Sequence, residues 1–355
     1  MKLYTCSNCS SPLYFENKSC LKCENIVGFN AAKLSFVTLI LSKEGTFIDM
    51  QDKSQTYRFC PNSVNRACNW LIPTHSTAEY CEACSLNRTI PNLSNNKNME
   101  NWKKIEVAKH RLIYSLLNLH LPVQAKEDDQ DVLSKGIAFD FLADETWNQK
   151  IMTGQDQGVI TLNIEEADDT KRAQNQANLG EKYRTLLGHL RHEIGHYYWD
   201  VLIKDSTLIN GYRKLFGDET KDYDESLKTY YSTLLPANWS DSFISPYSTS
   251  HSWEDWAETW AHYLHLMDTL QTAYSFGIGI HTENANDQLK IKADITQDPY
   301  TIASFDTIMQ LWLPLTFTLN SLNRSMGYAD FYPFFISNTV KEKLQFIHKV
   351  CRQSQ

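Results

Sequence analysis

The stretch RHEIGHYYWD at residues 191–200 contains the pattern H-E-x-x-H from His192 to His196. Apolar residues recur around it at helical spacing, which predicts a helix from Glu181 to Ile203. Residues four apart lie on one face of a helix, so the two imidazoles can bind one metal ion. Glu193 then lies beside that ion, where it can act as a general base toward a water molecule. The pattern therefore predicts a metal site on this helix.

A catalytic zinc ion needs a third protein ligand and one open position. The candidates lie in a helix predicted over Trp253–Leu270, where Glu254, Glu258 and His262 are four residues apart and share one face. Spacing alone leaves all three open. The tryptophans and alanines between them predict that this helix is largely buried, and a buried acidic stripe requires a cation. Ser252 is predicted to cap the helix.

Periodicity elsewhere in the chain predicts an α+β protein in which a larger, mainly helical region carries a small sheet. The further predicted helices cover Met99–Leu119, Ile302–Leu322 and Asn338–Cys351, and the predicted strands cover Gly136–Leu142 and Gly158–Asn163.

Eight of the nine cysteines precede residue 85 and form two groups, which suggests small N-terminal β modules of the zinc-ribbon type. The first has the spacing C-x2-C-x10-C-x2-C, and the second C-x7-C-x12-C-x2-C. Their members are Cys6, Cys9, Cys20 and Cys23, and then Cys60, Cys68, Cys81 and Cys84. Each group can close a four-cysteine zinc site that has no open position. Iron is an alternative at the first, rubredoxin-like site, and His75 is an alternative ligand at the looser second site.

The charge and the ends of the chain restrict the partners. A net charge of −8 makes the chain a poor general binder of nucleic acid or anionic membrane. Residues 1–99 carry ten Lys and Arg against seven Asp and Glu, an excess that two four-thiolate zinc sites would cancel, so a protein partner suits this region better than nucleic acid. No apolar stretch reaches the ~20 residues of a membrane span, and Met1–Cys6 lacks a signal core. A cytoplasmic location is therefore expected, where cysteines favour metal ions over disulfides.

Longer phrases of the chain resemble a bacterial family of zinc-binding metallopeptidases with an N-terminal zinc-ribbon region. They cover nearly the whole chain: Tyr57–Cys60, Ala67–Leu71, Asn87–Pro91, Ile160–Asp168, Tyr183–His189, Arg191–Asp200, Phe216–Asp218 and Trp253–His265. The resemblance implies a zinc-ribbon region over residues 1–84 and a zincin-type metallopeptidase domain over residues 98–355. The polar segment 85–97 is then the linker between them. Ser252 departs from the proline expected before Trp253, which affects only how the helix begins.

The segment around Glu254 also resembles, more distantly, the lethal-factor-type toxin peptidases of the gluzincin group. In that group the first glutamate of E-x-x-A-E is the third zinc ligand, the second glutamate supports a ligand from behind, and a tyrosine seven residues before the ligand assists catalysis. The resemblance implies that Glu254 is the third ligand, Glu258 the supporting acid and Tyr247 the oxyanion stabiliser. Asp200, four residues after His196, is a further candidate for orienting a ligand imidazole. The remaining nearby histidines are expected to pack around the site rather than bind the ion: His251, His262 and His265.

These features together predict a zinc-dependent peptidase that acts on a peptide or protein and holds one catalytic and two structural zinc ions. By analogy with other peptidases of this type, the strand at Gly158–Asn163 is expected to pair with the substrate backbone as an edge strand. The alternative function is a zinc-scaffolded binding or regulatory protein whose peptidase site is vestigial or latent. Glu193 favours the peptidase, because metal binding alone would not require that residue. A ribbon protein associated with nucleic acid is disfavoured by the charge.

Overall fold

The computed structural model describes residues 2–126, 135–144, 151, 153–179, 185–283 and 290–353. The chain divides into two compact units, Met1–Gly180 with Arg184–Leu190 and Glu181–Tyr183 with Arg191–Gln355. The first unit is rich in strands and the second is mainly helical, which confirms the predicted α+β class. The segment predicted as a linker, residues 85–97, lies inside the first unit. The boundary between the two compact units therefore does not coincide with the predicted domain limits.

Seven short strands occupy the N-terminal region: β1 (Tyr4–Thr5), β2 (Pro12–Leu13), β3 (Ile26–Asn30), β4 (Ser35–Leu41), β5 (Phe47–Asp49), β6 (Thr56–Phe59) and β7 (Leu71–Pro73). The first two pair with each other, and the other five form an antiparallel meander in sequence order. One small core of this meander consists of Val37, Leu39, Tyr57 and Leu71. The rings of Phe15, Phe29 and Trp70 form a further buried cluster in the same region.

A mixed four-stranded sheet follows, with strands β8 (Asn87–Thr89), β9 (Ala138–Leu142), β10 (Gly154–Asp156) and β11 (Val159–Asn163). Its order is β10-β11-β9-β8, and β9 runs parallel to both of its neighbours. The two predicted strands are confirmed as β9 and β11. The expectation that β11 is an edge strand for substrate is wrong, because β11 is hydrogen-bonded on both sides and β10 forms the edge. The predicted linker also supplies a strand, β8, to this sheet.

The helices of the described residues are α1 (Asn96–Asn118), α2 (Asp169–Leu179), α3 (Leu186–Leu202), α4 (Ile209–Phe216), α5 (Tyr223–Ser232), α6 (Ser252–Ser275), α7 (Phe305–Ser325) and α8 (Asn338–Gln353). The last strands, β12 (Gly279–His281) and β13 (Lys292–Asp294), pair antiparallel. Five of the helices match the predicted ones, although residues 181–184 at the predicted start of α3 lie outside the described residues. The other three have 11 residues or fewer, too short for a clear apolar period. None of these helices combines the length and the apolarity that crossing a membrane requires.

The start of α6 differs from the prediction. Its N-cap is His251, whose Nδ1 atom accepts a hydrogen bond from the backbone N–H of Trp253 at 3.1 Å. Ser252 is already the first helical residue, so the prediction that it caps the helix is wrong. A ring nitrogen takes the acceptor role that a hydroxyl usually has at this position.

Gly195 allows α3 to approach α6 closely. A Cβ atom at this position would lie 3.1 Å from both the Cα of Ala257 and the Cβ of Trp260. At the same place, Trp256 donates a hydrogen bond from Nε1 to the carbonyl oxygen of Gly195 at 2.9 Å. This close crossing brings the histidines of α3 within reach of the glutamates of α6.

Candidate metal and catalytic sites

α3 and α6 bring three predicted metal ligands together. The Nε2 atoms of His192 and His196 lie 3.1 Å apart. Glu254 Oε2 lies 3.0 Å from Nε2 of His192 and 3.5 Å from Nε2 of His196. All three side chains are buried. Two imidazole nitrogens and one carboxylate oxygen therefore converge on one point.

This group of three donors fits a zinc ion. Ligand atoms about 2.0–2.1 Å from a tetrahedral ion lie about 3.3 Å from one another, and the three observed separations fall on both sides of that value. Glu254 Oε2 is also buried, and its nearest charged neighbours are the two ring nitrogens, so its negative charge requires a cation at this point, either a metal ion or protonated imidazoles. Three donors leave the fourth tetrahedral position open, as a catalytic zinc site requires.

The other two residues that spacing left open, Glu258 and His262, do not join this group. Glu258 Oε1 lies 2.7 Å from Nδ1 of His192, on the side of the ring away from Nε2. His262 Nδ1 lies 2.8 Å from the hydroxyl of Tyr332. Glu258 thus supports a histidine from behind, at the position that the resemblance implies, and Glu254 is the third donor of the group.

The two carboxylates dominate the electrostatics of His192. Burial by itself lowers the pKa of this imidazole, but the hydrogen bonds to Glu254 and Glu258 outweigh burial and hold the pKa well above its ordinary value. Burial raises the pKa of Glu254, but the charge of His196 and the hydrogen bond with His192 hold it well below its ordinary value. The side chains therefore stabilise each other's charged forms, and a bound metal ion would take the place of the shared protons.

Two tyrosines approach the same group. The hydroxyl of Tyr223 donates a hydrogen bond to Glu254 Oε1 at 2.6 Å, so Oε2 is the oxygen that faces the histidines. The ring of Tyr247 lies 6.1 Å from the ring of His192, measured between centroids. Burial and then the charge of Glu254 raise the pKa of both phenols, so both remain protonated and able to donate. The predicted base Glu193 is buried, and its charge contributes to the raised pKa of Tyr223.

Tyr223 and Trp253 contact the site but are not predicted from the sequence. The ring of Trp253 packs on His196 with centroids 3.8 Å apart. Tyr223 is the first residue of α5, whose N-cap Asp222 accepts a hydrogen bond from the backbone N–H of Glu225 at 2.8 Å. This acidic capping sequence could have marked the start of α5. No spacing rule connects Tyr223 to Glu254, because the two are distant in sequence.

Asp200 is predicted to orient a ligand imidazole from α3. Its carboxylate lies 3.6 Å from Nζ of Lys204, which follows the end of α3. Nδ1 of His196 is buried and has no hydrogen-bond partner in the part of the chain that the structure describes, and Nδ1 of His192 faces Glu258. The role of Asp200 in orienting a ligand imidazole therefore stays a prediction.

The first cysteine group converges on one point. The sulfurs of Cys6 and Cys23 lie 3.6 Å apart and those of Cys9 and Cys20 lie 3.5 Å apart. Sulfurs about 2.3 Å from a tetrahedral ion lie about 3.8 Å from one another. The group therefore fits a closed four-sulfur site, with either zinc or iron as the ion.

The second cysteine group is also closed, and all four of its members are buried. The sulfurs of Cys68 and Cys81 lie 3.7 Å apart. His75, the alternative ligand, is exposed and lies outside the group. The histidine that does approach these sulfurs is His110 of α1, with Nε2 3.3 Å from Cys68 Sγ. All nine cysteines of the chain are free thiols, including the buried Cys351 of α8.

Comparisons with known proteins agree with both kinds of site. Residues 98–350 match a family described as "Putative zinc-binding metallo-peptidase", and residues 3–95 match a zinc-ribbon domain. Uncharacterized proteins from Mycobacterium bovis and from two strains of Mycobacterium tuberculosis are each 38% identical to the chain over 351 residues, which is 99% of this chain and 95% of theirs. No solved structure matches the chain. The chain therefore belongs to this family of zinc-binding metallopeptidases and carries an N-terminal zinc-ribbon domain.

Proposed function

We propose that this protein hydrolyses peptide bonds at a zinc ion held by His192, His196 and Glu254. The observation that carries the proposal is the convergence of two imidazole nitrogens and a buried carboxylate oxygen on one point. The neighbouring Glu193 supports a peptidase over a purely structural metal site, because a closed site has no use for a base. Membership of a zinc-binding metallopeptidase family supports the same class of reaction.

The chemistry follows from the positions of the side chains. When bound, zinc polarises the scissile carbonyl group and makes a water molecule more acidic. Glu193 accepts the proton of that water as it attacks and then delivers the proton to the leaving amine. Tyr247 donates a hydrogen bond to the carbonyl oxygen as negative charge develops there. Tyr223 holds Oε1 of Glu254, which keeps Oε2 directed toward the histidines.

We assign the site to the gluzincin type, in which a distant glutamate is the third ligand. Glu258 fits the supporting acid of that type, since its hydrogen bond to Nδ1 directs Nε2 of His192 toward the ion. The substrate is a peptide or protein. We also propose one structural zinc in each cysteine group, domain limits at residues 1–84 and 98–355, and a reducing cytoplasmic compartment, where free thiols persist.

The test compares the wild-type chain with Glu193→Gln on a peptide library, with cleavage products identified by mass spectrometry. The variant keeps the size of the side chain and removes its basicity, so we expect cleavage to fall by about 10²–10⁴-fold with the zinc content unchanged. Glu225→Gln, an exposed glutamate of α5, is the matched control and should cleave as the wild type does. Equal products from the wild type and Glu193→Gln would overturn the role of Glu193 as the base, and an absence of products from both would favour the binding or regulatory protein.

A further inference from the structure

α1 carries three buried ionisable side chains beside the second cysteine group. Glu106 and Lys109 are 0% exposed and His110 is 4% exposed. Side chains of this kind are rarely buried unless neighbouring groups compensate for the lost hydration. Their partners therefore indicate what the cluster stabilises.

His110 lies between a backbone carbonyl and two sulfurs. Nδ1 is 2.6 Å from the carbonyl oxygen of Glu106, and a carbonyl only accepts, so Nδ1 donates there. Nε2 is 3.3 Å from Cys68 Sγ and 3.7 Å from Cys84 Sγ. These sulfurs are thiolates when they bind a metal ion, so a second hydrogen on Nε2, which makes the ring a cation, gives a favourable contact.

His110 is not a fifth member of the sulfur group. The four sulfurs lie within 4.8 Å of one another and form a group without His110, whose Nε2 approaches two of them, Cys68 and Cys84. Its ring therefore lies beside the Cys68–Cys84 edge of a complete four-sulfur set. This is the position of a hydrogen-bond donor to the ligands.

We propose that His110 is a positioning residue of the second cysteine site, where it donates from Nε2 to the thiolates of Cys68 and Cys84 and stabilises the bound metal ion. The inference rests on the proposed zinc at this site. The four sulfurs lie in the segment that matches the zinc-ribbon domain, whereas His110 lies in the segment that matches the metallopeptidase family. A helix of the peptidase segment thus supports the ligands of a metal site in the ribbon segment.

The rest of the cluster connects this site with the mixed sheet. Glu106 Oε2 lies 3.8 Å from Cys84 Sγ, and its Oε1 lies 3.0 Å from Nζ of Lys109. Asn87 of β8 donates a hydrogen bond to Oε1 of Glu106 at 2.8 Å. The ammonium of Lys109 also lies 5.7 Å from the ring centroid of Phe139 on β9. Loss of the metal ion should therefore also loosen β8 and β9.

Two variants of the full chain separate the two hydrogen bonds of His110. In His110→Gln the amide nitrogen reaches the position of Nε2 and can still donate to sulfur. In His110→Asn it reaches only the position of Nδ1, which faces the Glu106 carbonyl. His75→Asn is the control, because His75 is exposed.

The measurement is cadmium NMR of the cadmium-loaded chain, since four-sulfur sites resonate apart from a site with nitrogen and oxygen donors. Excess chelator is added, and the loss of each signal is followed with time. We expect His110→Asn to shift the second-site signal and to speed its loss about 10–100-fold. His110→Gln and His75→Asn should stay close to the wild type, and the first-site signal should not change in any variant.

Three other outcomes would contradict the role proposed for His110. If only one four-sulfur signal appears in the wild type, the proposed metal at the second site fails, and this inference fails with it. If both four-sulfur signals appear but His110→Asn retains cadmium as well as His110→Gln does, the metal proposal stands and the role of His110 is overturned. Equal acceleration in both variants would also overturn it, since packing rather than donation to sulfur would then explain the effect.

Discussion

The cysteine groups and the His–Glu site differ in where their donors come from. Each cysteine group takes four sulfurs from a short piece of chain, residues 6–23 or residues 60–84, whereas the His–Glu site takes two donors from α3 and one from α6. Four sulfurs close the coordination of an ion, and three donors leave one position for substrate or water. A site with four donors from one short segment suits the stabilisation of a fold. A site with three donors from two helices keeps an open position and can perform chemistry.

Local turns shape the first cysteine group. The backbone N–H of Ser10 donates to the carbonyl of Cys6 at 2.8 Å, and that of Glu24 donates to the carbonyl of Cys20 at 2.9 Å. Both Ser10 and Glu24 have a positive φ, 57° and 59°. The same turn is therefore built twice from the same C-x2-C spacing. Glu254 and His192 lie on different helices, so their contact depends on the packing of α3 against α6 and not on a local turn.

The strongest test of this contrast removes one ligand from each kind of site. Cys6→Ser should remove one metal ion and unfold the N-terminal strands, because binding to a structural site contributes on the order of 10 kcal/mol to folding. His192→Ala should also remove one ion but should lower thermal stability much less, since α3 and α6 remain packed through Gly195 and Trp256. Metal quantification and calorimetry of the full chain measure both effects. If His192→Ala unfolds the protein and Cys6→Ser does not, the His–Glu site is the structural one and the proposed roles are reversed.

A second test addresses the open position of the His–Glu site. Tyr247→Phe keeps the ring and removes the hydroxyl, so kcat should fall about 10²–10³-fold as oxyanion stabilisation is lost. KM and zinc content should stay near the wild-type values. Tyr274→Phe, on the far end of α6, is the control. An unchanged kcat would exclude Tyr247 as the oxyanion donor and would direct attention to Tyr223.

A third test concerns the support of His192 from behind. Glu258→Ala removes the acceptor that lies 2.7 Å from Nδ1 and should weaken zinc binding at this site about 10–100-fold. Glu258→Gln retains an acceptor oxygen and should lose less. Competition with a chelating dye measures the affinity. If the two variants bind zinc as tightly as the wild type, Glu258 is only a packing residue.

The smallest expected effect concerns the distance between α3 and α6. The added methyl group in Gly195→Ala would meet Ala257 and Trp260 at 3.1 Å, and such crowding costs about 1–3 kcal/mol. Alanine regains about 1 kcal/mol of helix propensity, so we expect a net destabilisation of about 1 kcal/mol in urea unfolding. Gly154→Ala, where no atom lies within 4 Å, should change little. A stabilised Gly195→Ala variant would show that the helices have room to move apart.

Several parts of the molecule follow from local patterns. Periodicity correctly predicts five helices and two strands, namely α1, α3, α6, α7, α8, β9 and β11. The spacing of apolar residues along one helix or strand reflects which of its faces is buried, so a short stretch of sequence is enough for this prediction. Other features depend on local details or on partners across space, and the start of α6 is a local one, since His251 rather than Ser252 caps it. The acid beside Nδ1 of His192 is Glu258 of α6, which is distant from His192 along the chain. β11 has the pattern of a strand, but its two neighbours decide that it is not an edge.

The sequence by itself determined that two histidines share one face of a helix beside a glutamate, and that cysteines two residues apart form metal-binding turns. These follow from the rise of a helix and the geometry of a short turn, which involve only nearby residues. Only the tertiary structure decided that Glu254 rather than Glu258 or His262 completes the trio, that Tyr223 holds it, and that His110 approaches the second cysteine group. Those contacts join residues that are far apart along the chain, and packing rather than spacing brings them together.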